Sequence, residues 1–307
     1  MSRAVVFAYH NVGVRCLSVL LAGGVDVPLV LTHPDDPRER IWFDSVARLA
    51  QLHDIPVITP ANPNTPEVLE RVRGERPDFL FSFYYRHMLK PELLALPGAG
   101  ALNMHGSLLP RYRGRVPVNW AVIHGETETG ATLHYMTVKP DAGDIVDRQA
   151  VPILPNDTAG EVFHKVTWAA ELVLHRSLPD LLNGTAPRLP QDLAAGSYFG
   201  GRRPEDGLIR WNDPARHIHN LVRGVAPPYP GAFTRLRGKL LKIFSTLPAP
   251  GRPPRFGRPT LSCEASGCYA ECGDGAALRL LELELDGVPV DAAALGAFLE
   301  GRPEPLC

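Results

Sequence analysis

The sequence has almost no net charge and no long hydrophobic run. Its 307 residues hold 32 Lys and Arg against 33 Asp and Glu, a formal net charge of −1. Proteins that bind nucleic acid carry a basic face, so this composition predicts no nucleic-acid partner, although it is compatible with a local basic groove. Uncharged apolar runs stay below the roughly 18 residues of a membrane span, so none is expected. The first apolar run ends at Tyr9 and His10, too early for a signal peptide.

Cysteine is also scarce, with five residues in the chain. Cys263, Cys268 and Cys272 are spaced five and four apart, unlike the Cys-x-x-Cys pairs of zinc sites, and we therefore expect no metal. Reduced thiols are typical of the cytoplasm. The sequence thus predicts a cytoplasmic protein whose cysteines are all reduced.

Short apolar runs alternate with helical patterns through the first half of the chain. The alternation predicts a parallel sheet with helices on both faces, because each crossover between parallel strands needs such a connection. Ligands on such sheets bind beyond the carboxyl ends of the strands. One rim should therefore carry His10, Asn11, residues 84–87 and residues 103–107. The predicted strands are AVVFAY (4–9), VPLVLTH (27–33), IPVITP (55–60), PDFLFSF (77–83) and GALNMH (100–105). The helical patterns between them include WFDSVARLAQLH (42–53), with Val46, Leu49 and Leu52 on one face, and TPEVLERVRGE (65–75), with Thr65 as its cap and Pro66 at its first position.

The usual nucleotide-binding fingerprints are missing from this α/β pattern. No G-x-G-x-x-G follows the first strand, and no G-x-x-x-x-G-K-[ST] occurs in the chain. A Rossmann dinucleotide site and a P-loop are therefore not indicated. We expect the rim to bind a different ligand.

The second half of the chain has a different pattern of predicted elements. A strand pair is predicted at 131–138 and 144–153, followed by a long helix at 159–182. Residues 188–206 are rich in Gly and Pro and have no clear periodicity, which is typical of a linker. Short strand-like runs after them predict a small antiparallel β-barrel. The predicted domains are accordingly 1–187 and 207–307, joined by the linker 188–206.

One stretch, NMHGSLLPRYRGRVP (103–117), concentrates polar chemistry at a strand end. Asn103 and His105 are two residues apart, so their side chains lie on the same face of the strand. Buried polar groups need partners, and a core histidine bonded to a carbonyl, with Asn103 fixing a turn, would meet that need. A catalytic pair would meet it equally well. The spacing alone does not decide between the two.

Asp141, in the loop KPDAGD, favours the catalytic interpretation. A carboxylate beside His105 would hold its tautomer and favour its charged form. Asn103 can donate to an oxygen that becomes negative as a carbonyl is attacked. Ser107 lacks the G-x-S-x-G elbow of a serine nucleophile, so direct attack by a substrate amine on a carrier's acyl group fits better. Asp144 is the nearest competitor to Asp141.

The stretch resembles the signature of the folate-dependent formyltransferases, which share Asn-x-His-x-Ser-Leu-Leu-Pro and a later Asp-x-Gly loop. The resemblance implies a Rossmann-like N-terminal domain that binds 10-formyltetrahydrofolate as co-substrate, and a smaller OB-like β-barrel domain at the C-terminus. It implies that Asn103 stabilises the transition state, that His105 transfers the proton and that Asp141 is its partner. No metal is implied.

The resemblance also implies folate contacts. These are His87, Met88, Leu89, Arg115, Thr137, Val138, Lys139, Pro140 and Asp141. Arg202 and Arg203 in the linker are candidate ligands for the phosphates of a nucleotide sugar, since guanidinium groups bind phosphate in a bidentate manner. Arg111 and Arg113 are left unassigned: they could bind a diphosphate or the glutamate tail of folate, or lie in a solvated loop. His10 and His134 are assigned to structural packing.

Within the family, residues 4 to about 235 are most similar to the formyltransferase half of the bifunctional polymyxin-resistance enzymes. The segments VVFAYHNVG, SVARLAQLHDIPV, FSFYYRHML, NWAVIHGETETGATLH and VRGVAPPYPGAF carry this similarity. It implies transfer of a formyl group to the 4-amine of UDP-4-amino-4-deoxy-L-arabinose, a step in lipid A modification and antibiotic resistance. No decarboxylase half follows in this sequence, so we expect a stand-alone transferase. A homo-oligomer or a separate decarboxylase partner remains open.

Three alternatives remain at this point. Methionyl-tRNA formyltransferase is disfavoured because residues 204–307 hold 12 Lys and Arg against 12 Asp and Glu, which gives no basic surface for tRNA. Formylation of another amino-sugar nucleotide or of a small amine is a second possibility. A protein that only senses a nucleotide sugar or folate is the third, although a sensor has no need for Asn103, His105 and Asp141 together.

Overall fold

A computed structural model describes residues 2–37 and 41–306. The chain forms two compact units, and both are discontinuous in sequence. The first comprises Met1–Pro117, Glu128–Pro152 and Phe163–Gly200, and the second comprises Val118–Thr127, Ile153–Val162 and Gly201–Cys307. The boundaries at residues 187 and 206 stay predictions.

The first unit is built on a seven-stranded sheet whose order is β3-β2-β1-β4-β5-β7-β8. The strands of this unit, with a short pair outside the sheet (β6 and β9), are β1 (Arg3–Ala8), β2 (Asp26–Leu31), β3 (Val57–Ile58), β4 (Phe79–Phe83), β5 (Gly100–His105), β6 (Arg113–Gly114), β7 (Glu128–Tyr135), β8 (Ile145–Pro152) and β9 (Tyr198–Phe199). Strands β1 to β5 pair in parallel, whereas β7 and β8 are antiparallel. The apolar runs of β1 and β4 are buried, as expected for parallel strands covered on both faces.

Six helices lie along the N-terminal two thirds of the described chain: α1 (His10–Ala22), α2 (Val46–Leu52), α3 (Pro66–Gly74), α4 (Pro91–Leu94), α5 (Pro117–Ile123) and α6 (Ala159–Asn183). Helix α2 is shorter than the pattern at 42–53 predicts, because the Ser45 hydroxyl accepts from the Arg48 N–H and begins the helix there. Val46 and Ala50 are its buried face. The expectation that Leu52 shares that face was wrong, since its side chain is 72% exposed.

The strand register brings the predicted rim together. Ala8 pairs with Phe83, and Phe83 pairs with Met104, so β1, β4 and β5 end at one level. The residues that follow these ends form one edge, as the rule for parallel sheets predicts. Strand β7 runs antiparallel to β5 and adds a histidine to this part of the sheet, because His134 pairs with Asn103.

The second unit holds an antiparallel sheet curled into a half-barrel, in agreement with the predicted OB-like domain. Its core includes Trp211, whose indole N–H donates to the Thr234 hydroxyl at 3.1 Å. The pairing order is β10-β11-β14-β13-β12-β16, and β15 also pairs with β14. The elements are α7 (Ala215–Val225), β10 (Ala232–Leu236), β11 (Lys239–Pro248), β12 (Thr260–Glu264), β13 (Gly267–Glu271), β14 (Ala277–Leu285), β15 (Val288–Val290), α8 (Ala292–Phe298) and β16 (Glu304–Pro305).

The expectation that every cysteine is reduced was wrong. Cys263 and Cys268 lie directly opposite each other in the β12–β13 hairpin, with Cα atoms 4.0 Å apart, and form a disulfide. The spacing of five leaves one more strand pair, Glu264 and Gly267, and a two-residue turn between the cysteines, which is why it fits a hairpin. Cys16 and Cys272 are free and buried, and burial raises the pKa of Cys272 to about 12. Cys307 lies outside the described residues.

Two further observations concern the described part of the chain. No helix in residues 2–37 and 41–306 is long and apolar enough to cross a membrane. Within the same residues, no group of three or more His, Cys, Asp or Glu side chains is arranged to hold a metal ion.

Candidate active site

Asn103 and His105 lie on β5, the central strand where the parallel and antiparallel parts of the sheet meet. His105 is buried, and its Nε2 is 2.8 Å from the Tyr112 carbonyl oxygen. Because a carbonyl only accepts, Nε2 carries a proton in this arrangement. Nδ1 faces the Asp141 carboxylate at 3.5 Å. The imidazole is therefore held between two acceptors.

Asp141 reaches the site because the loop between β7 and β8 folds back over the sheet. Its Oδ2 accepts from the Gly114 N–H at 2.8 Å, and its Oδ1 faces both His105 and His134. Burial alone would raise the pKa of Asp141, but the neighbouring His105 imidazole and the Gly114 N–H outweigh it and hold this pKa well below its ordinary value. The carboxylate is thus ionised at neutral pH. Asp141, and not Asp144, faces His105.

His134 is a site residue that sequence reasoning assigned to packing alone. Its Nδ1 lies 2.8 Å from the Tyr135 carbonyl oxygen and therefore carries the proton of a neutral ring. Nε2 then accepts from the Asn103 amide at 3.1 Å. This bond engages one amide N–H of Asn103 and leaves the other for a ligand oxygen. In the sequence, the only indication of this role was the spacing of two residues between Thr132 and His134, which places both side chains on one face of the strand.

The turn after β5 contains no free nucleophile. Ser107 is fully buried, and its hydroxyl donates to the Arg111 carbonyl at 2.6 Å. The Thr132 hydroxyl donates to the Ser107 carbonyl at 2.6 Å. The hydroxyl and the carbonyl of Ser107 thus both make hydrogen bonds that close the turn. A Cβ at Gly106 would overlap the Tyr84 hydroxyl, which explains the glycine beside His105. The Ser107 hydroxyl is therefore engaged in closing the turn and is not presented as a nucleophile.

His10 occupies the same rim as part of an aromatic cluster. Its backbone is left-handed (φ 66°), and its ring packs against Phe43, Trp42 and Phe163 at centroid distances of 3.9, 4.5 and 4.5 Å. Burial, with lesser contributions from the charges of Arg86 and His164, lowers the pKa of His10 to about 3. The ring is thus neutral at neutral pH and serves as packing, as the sequence predicts.

Comparison with known proteins assigns the family. Residues 10–178 match the formyl transferase family, and residues 202–297 match the formyl transferase C-terminal domain. The chain belongs to the formyltransferase family. It is therefore an enzyme that transfers a formyl group.

Solved structures of similar fold include three formyltransferases, two of them described with a sugar or a sugar nucleotide. An N-formyltransferase from Helicobacter canadensis, in complex with folinic acid and dTDP-3-aminofucose, is 20% identical over 91% of this chain and 99% of its own, with a TM-score of 0.68. WlaRD, a sugar 3N-formyltransferase solved with dTDP and 5-N-formyl-THF, is 20% identical over 91% and 97%, with a TM-score of 0.69. A 4-N formyltransferase from Francisella tularensis is 19% identical over 76% and 91%, with a TM-score of 0.61. At these identities the likeness shows a shared fold.

The first predicted folate segment of this formyltransferase follows β4. His87 and Met88 are exposed, Met88 by 56%, whereas Leu89 is buried in the core. Asn64 fixes the segment, because its amide donates to the Met88 carbonyl at 2.9 Å and its Oδ1 accepts from the Lys90 N–H at 2.8 Å. The buried Leu89 side chain is thus not available to a ligand.

The other predicted folate contacts lie on two loops. Thr137, Val138 and Lys139 are exposed, Val138 by 70%, and Pro140 is half-buried. The Thr137 hydroxyl donates to the Lys139 carbonyl at 2.9 Å and holds this loop compact. Arg115 has an exposed side chain, and its backbone N–H donates to the Phe199 carbonyl at 2.9 Å. Exposed apolar side chains such as Val138 are suited to a flat aromatic ligand.

Arg202 and Arg203, the predicted phosphate ligands, belong to the second unit. The Arg202 guanidinium lies 4.6 Å from the centroid of the Trp120 ring and donates to the Asp206 carbonyl at 2.7 Å. The Arg203 backbone N–H donates to the Asp206 carboxylate at 2.7 Å. Phosphate binding by these two residues stays a prediction.

Proposed function

We propose that this formyltransferase moves a formyl group from 10-formyltetrahydrofolate to the amine of a nucleotide-linked amino sugar, the 4-amine of UDP-4-amino-4-deoxy-L-arabinose. The observation that carries the proposal is the grouping of Asn103, His105 and Asp141 with no free nucleophile beside them. Such a site suits direct attack by a substrate amine. With this acceptor the reaction belongs to lipid A modification and polymyxin resistance in the cytoplasm.

The chain offers suitable surroundings for the folate. Exposed Met88 and Val138 present apolar surface, and the charged side chain of Arg115 is exposed for the carboxylates of the glutamate tail. The folate supplies an activated formyl carbon when it is bound. Two of the structures of similar fold hold folate derivatives, folinic acid and 5-N-formyl-THF, which supports the same donor here.

Three side chains then perform distinct tasks. The free amide N–H of Asn103 donates to the formyl oxygen, which becomes negative as the amine nitrogen bonds to the formyl carbon. His105 takes the proton that the amine loses and returns it to the folate nitrogen as the bond from that nitrogen to the formyl carbon breaks. Asp141 stabilises the imidazolium that exists between these two transfers, since its carboxylate stays ionised.

The amino-sugar acceptor is supported by the sequence similarity of residues 4 to about 235 and by two formyltransferases of like fold, one bound to dTDP-3-aminofucose and one that formylates a sugar. The main competitor is methionyl-tRNA, which requires a basic surface. The balanced charge of residues 204–307 favours the small nucleotide sugar.

An acceptor panel tests the proposal. Purified protein is mixed with 10-formyltetrahydrofolate and UDP-4-amino-4-deoxy-L-arabinose, a dTDP-amino sugar or methionyl-tRNA. Tetrahydrofolate release and the mass of the product are then measured. We expect the UDP sugar to gain one formyl group fastest, and His105→Ala or Asn103→Ala to lower kcat by about 10²–10³-fold.

The exposed His175 provides the matched control, because His175→Ala removes an imidazole far from these contacts. Faster formylation of methionyl-tRNA would overturn the acceptor. Folate binding without turnover on any amine would instead favour a sensor. An unchanged rate in His105→Ala would overturn the role given to that residue.

A further inference from the structure

We infer that residues 188–199, called the strap, align Asp141 with His105, the two residues of the catalytic pair. Gln191 is the positioning residue of the strap. The inference rests on the proposed function for its activity measurement alone.

Asp141 lies in the β7–β8 loop at a turn that is also held by residues outside the loop. Its backbone is left-handed (φ 51°), a conformation that costs energy for a residue with a Cβ, although Asp tolerates it better than most. The Gln191 side-chain amide donates to the Asp141 carbonyl at 3.2 Å and to the Gly143 carbonyl at 2.6 Å. Leu189 and Ile145 exchange backbone hydrogen bonds of 2.8 and 2.9 Å just beyond. The strap therefore clamps both sides of the turn that presents the carboxylate.

The same strap holds the loop on the other side of His105. The Ser197 hydroxyl accepts from the Tyr112 N–H at 2.8 Å, and the Ser197 carbonyl accepts from the Arg113 N–H at 3.0 Å. Strand β9 then pairs with β6, so closely that a Cβ on Gly114 would overlap the Phe199 carbonyl. Since Gly114 is the backbone donor to Asp141, this pairing fixes the second contact of the carboxylate.

The two halves of the strap thus act on the two partners of one imidazole. Tyr112 supplies the carbonyl on His105 Nε2, and Asp141 supplies the carboxylate facing Nδ1. Gln191 touches neither His105 nor Asn103 in the described contacts, and it acts through the Asp141 backbone. Loss of its amide would let the turn relax and move the carboxylate, and small misplacements of catalytic groups reduce rates strongly.

The kinetic test uses Gln191→Leu, which keeps the size of the side chain and removes its donor. We expect kcat to fall roughly 10- to 100-fold while KM for both substrates changes less than about threefold. Gln149→Leu is the matched control, because Gln149 bonds only to Arg176 and to the Ala150 carbonyl on β8. It should keep the wild-type kcat.

A double-mutant cycle separates positioning from general loosening. If Gln191 acts through Asp141, Gln191→Leu should slow an Asp141→Asn enzyme less than about twofold. An equal loss in both backgrounds would overturn the inference, and so would an unchanged kcat in the single variant. If Gln191→Leu fails to fold, Gln191→Glu replaces it, because the two carbonyls would repel its carboxylate at nearly the same volume.

A spectroscopic readout makes the test independent of the substrate. The imidazole ¹⁵N shifts of His105, measured by NMR without any ligand and assigned with His105→Asn, report its protonation and hydrogen bonds. Gln191→Leu should move them toward those of Asp141→Asn, whereas Gln149→Leu should leave them unchanged. Wild-type shifts in Gln191→Leu would overturn the strap even if no acceptor in the panel is formylated. Displaced shifts together with an inactive wild type would contradict only the proposed function.

Discussion

The Asn103 side chain is oriented by His134 on β7, the strand beside β5 in the sheet. One amide N–H donates to His134, so the other is available to a ligand oxygen. We expect His134→Phe, which keeps a planar ring but removes the acceptor, to lower kcat about tenfold, the equivalent of one hydrogen bond. Steady-state kinetics checks this, with the exposed His53→Phe as control. A wild-type kcat in His134→Phe would contradict the orienting role.

His10 makes stability depend on pH. Its folded-state pKa of about 3 lies below the ordinary value of 6.5, so the unfolded chain binds the proton more readily below pH 6.5. The free energy of unfolding therefore falls as the pH drops from 6.5 toward 3, by about 2 kcal/mol between pH 6.5 and 5. His33, whose pKa burial lowers to about 4, acts in the same direction.

Urea unfolding at pH 7 and pH 5 measures this dependence. His10→Asn keeps a residue that tolerates a left-handed backbone and removes the titrating ring. The variant should lose about 2 kcal/mol less than the wild type over this pH range. His53→Asn, on the exposed surface, should retain the wild-type pH dependence. Equal pH dependence in all three proteins would show that His10 titrates normally when folded.

At this scale the sequence predicted the Asn103, His105 and Asp141 group but not His134. The reason is physical. Asn103 and His105 share a face by local spacing, whereas His134 meets Asn103 through the register of the antiparallel pair β5–β7. Register depends on which strand lies beside which, and a single local pattern does not contain that information. Gln191 was missed for the same reason, since its partners are about 50 residues away.

Among the elements, those with strong local signals were predicted closely. Helix α6 spans Ala159–Asn183 against the predicted 159–182, because its apolar periodicity is long. Helix α3 begins at Pro66 after the Thr65 cap, as the sequence indicates. The prediction for α2 was less accurate, because aromatic Trp42 and Phe43 extend the apolar pattern but pack against His10 outside any helix.

The β12–β13 hairpin provides a prediction at the scale of elements. Its disulfide closes a loop of only a few residues, so the chain-entropy relation gives a stabilisation of about 2 kcal/mol. Replacing Cys263 and Cys268 together by Ser should lower the free energy of unfolding by about that amount. Thermal unfolding with and without reductant measures it, and the double variant should be insensitive to reductant.

Thiol alkylation followed by mass spectrometry gives a direct control. Protein denatured without reductant should leave Cys263 and Cys268 unmodified, whereas denatured and reduced protein should show both modified. Alkylation of both without reductant would contradict the disulfide and restore the expectation of reduced thiols.

At the scale of the whole molecule, Arg223 joins the three chain segments of the second unit. Its buried guanidinium donates to Asn220 within α7, to the Asp157 carbonyl at 3.0 Å and to the Val122 carbonyl at 3.3 Å. Arg223→Met would remove the three hydrogen bonds that the guanidinium donates, at a cost of about 3 kcal/mol. Thermal unfolding should show the loss, and the exposed Arg216→Met on the same helix should not. Equal melting temperatures would contradict the joining role.

The discontinuity of the two units has a consequence for chimeric enzymes. A graft that exchanges residues 201–307 between two formyltransferases would leave Val118–Thr127 and Ile153–Val162 from the host beneath a foreign C-terminal sheet. The Val122 and Asp157 carbonyls would then face a foreign counterpart of Arg223. A chimera that carries all three segments should fold and retain its acceptor preference more often than one joined at a single point. The natural unit of exchange in this chain is thus a spatial one, made of three separate stretches of sequence.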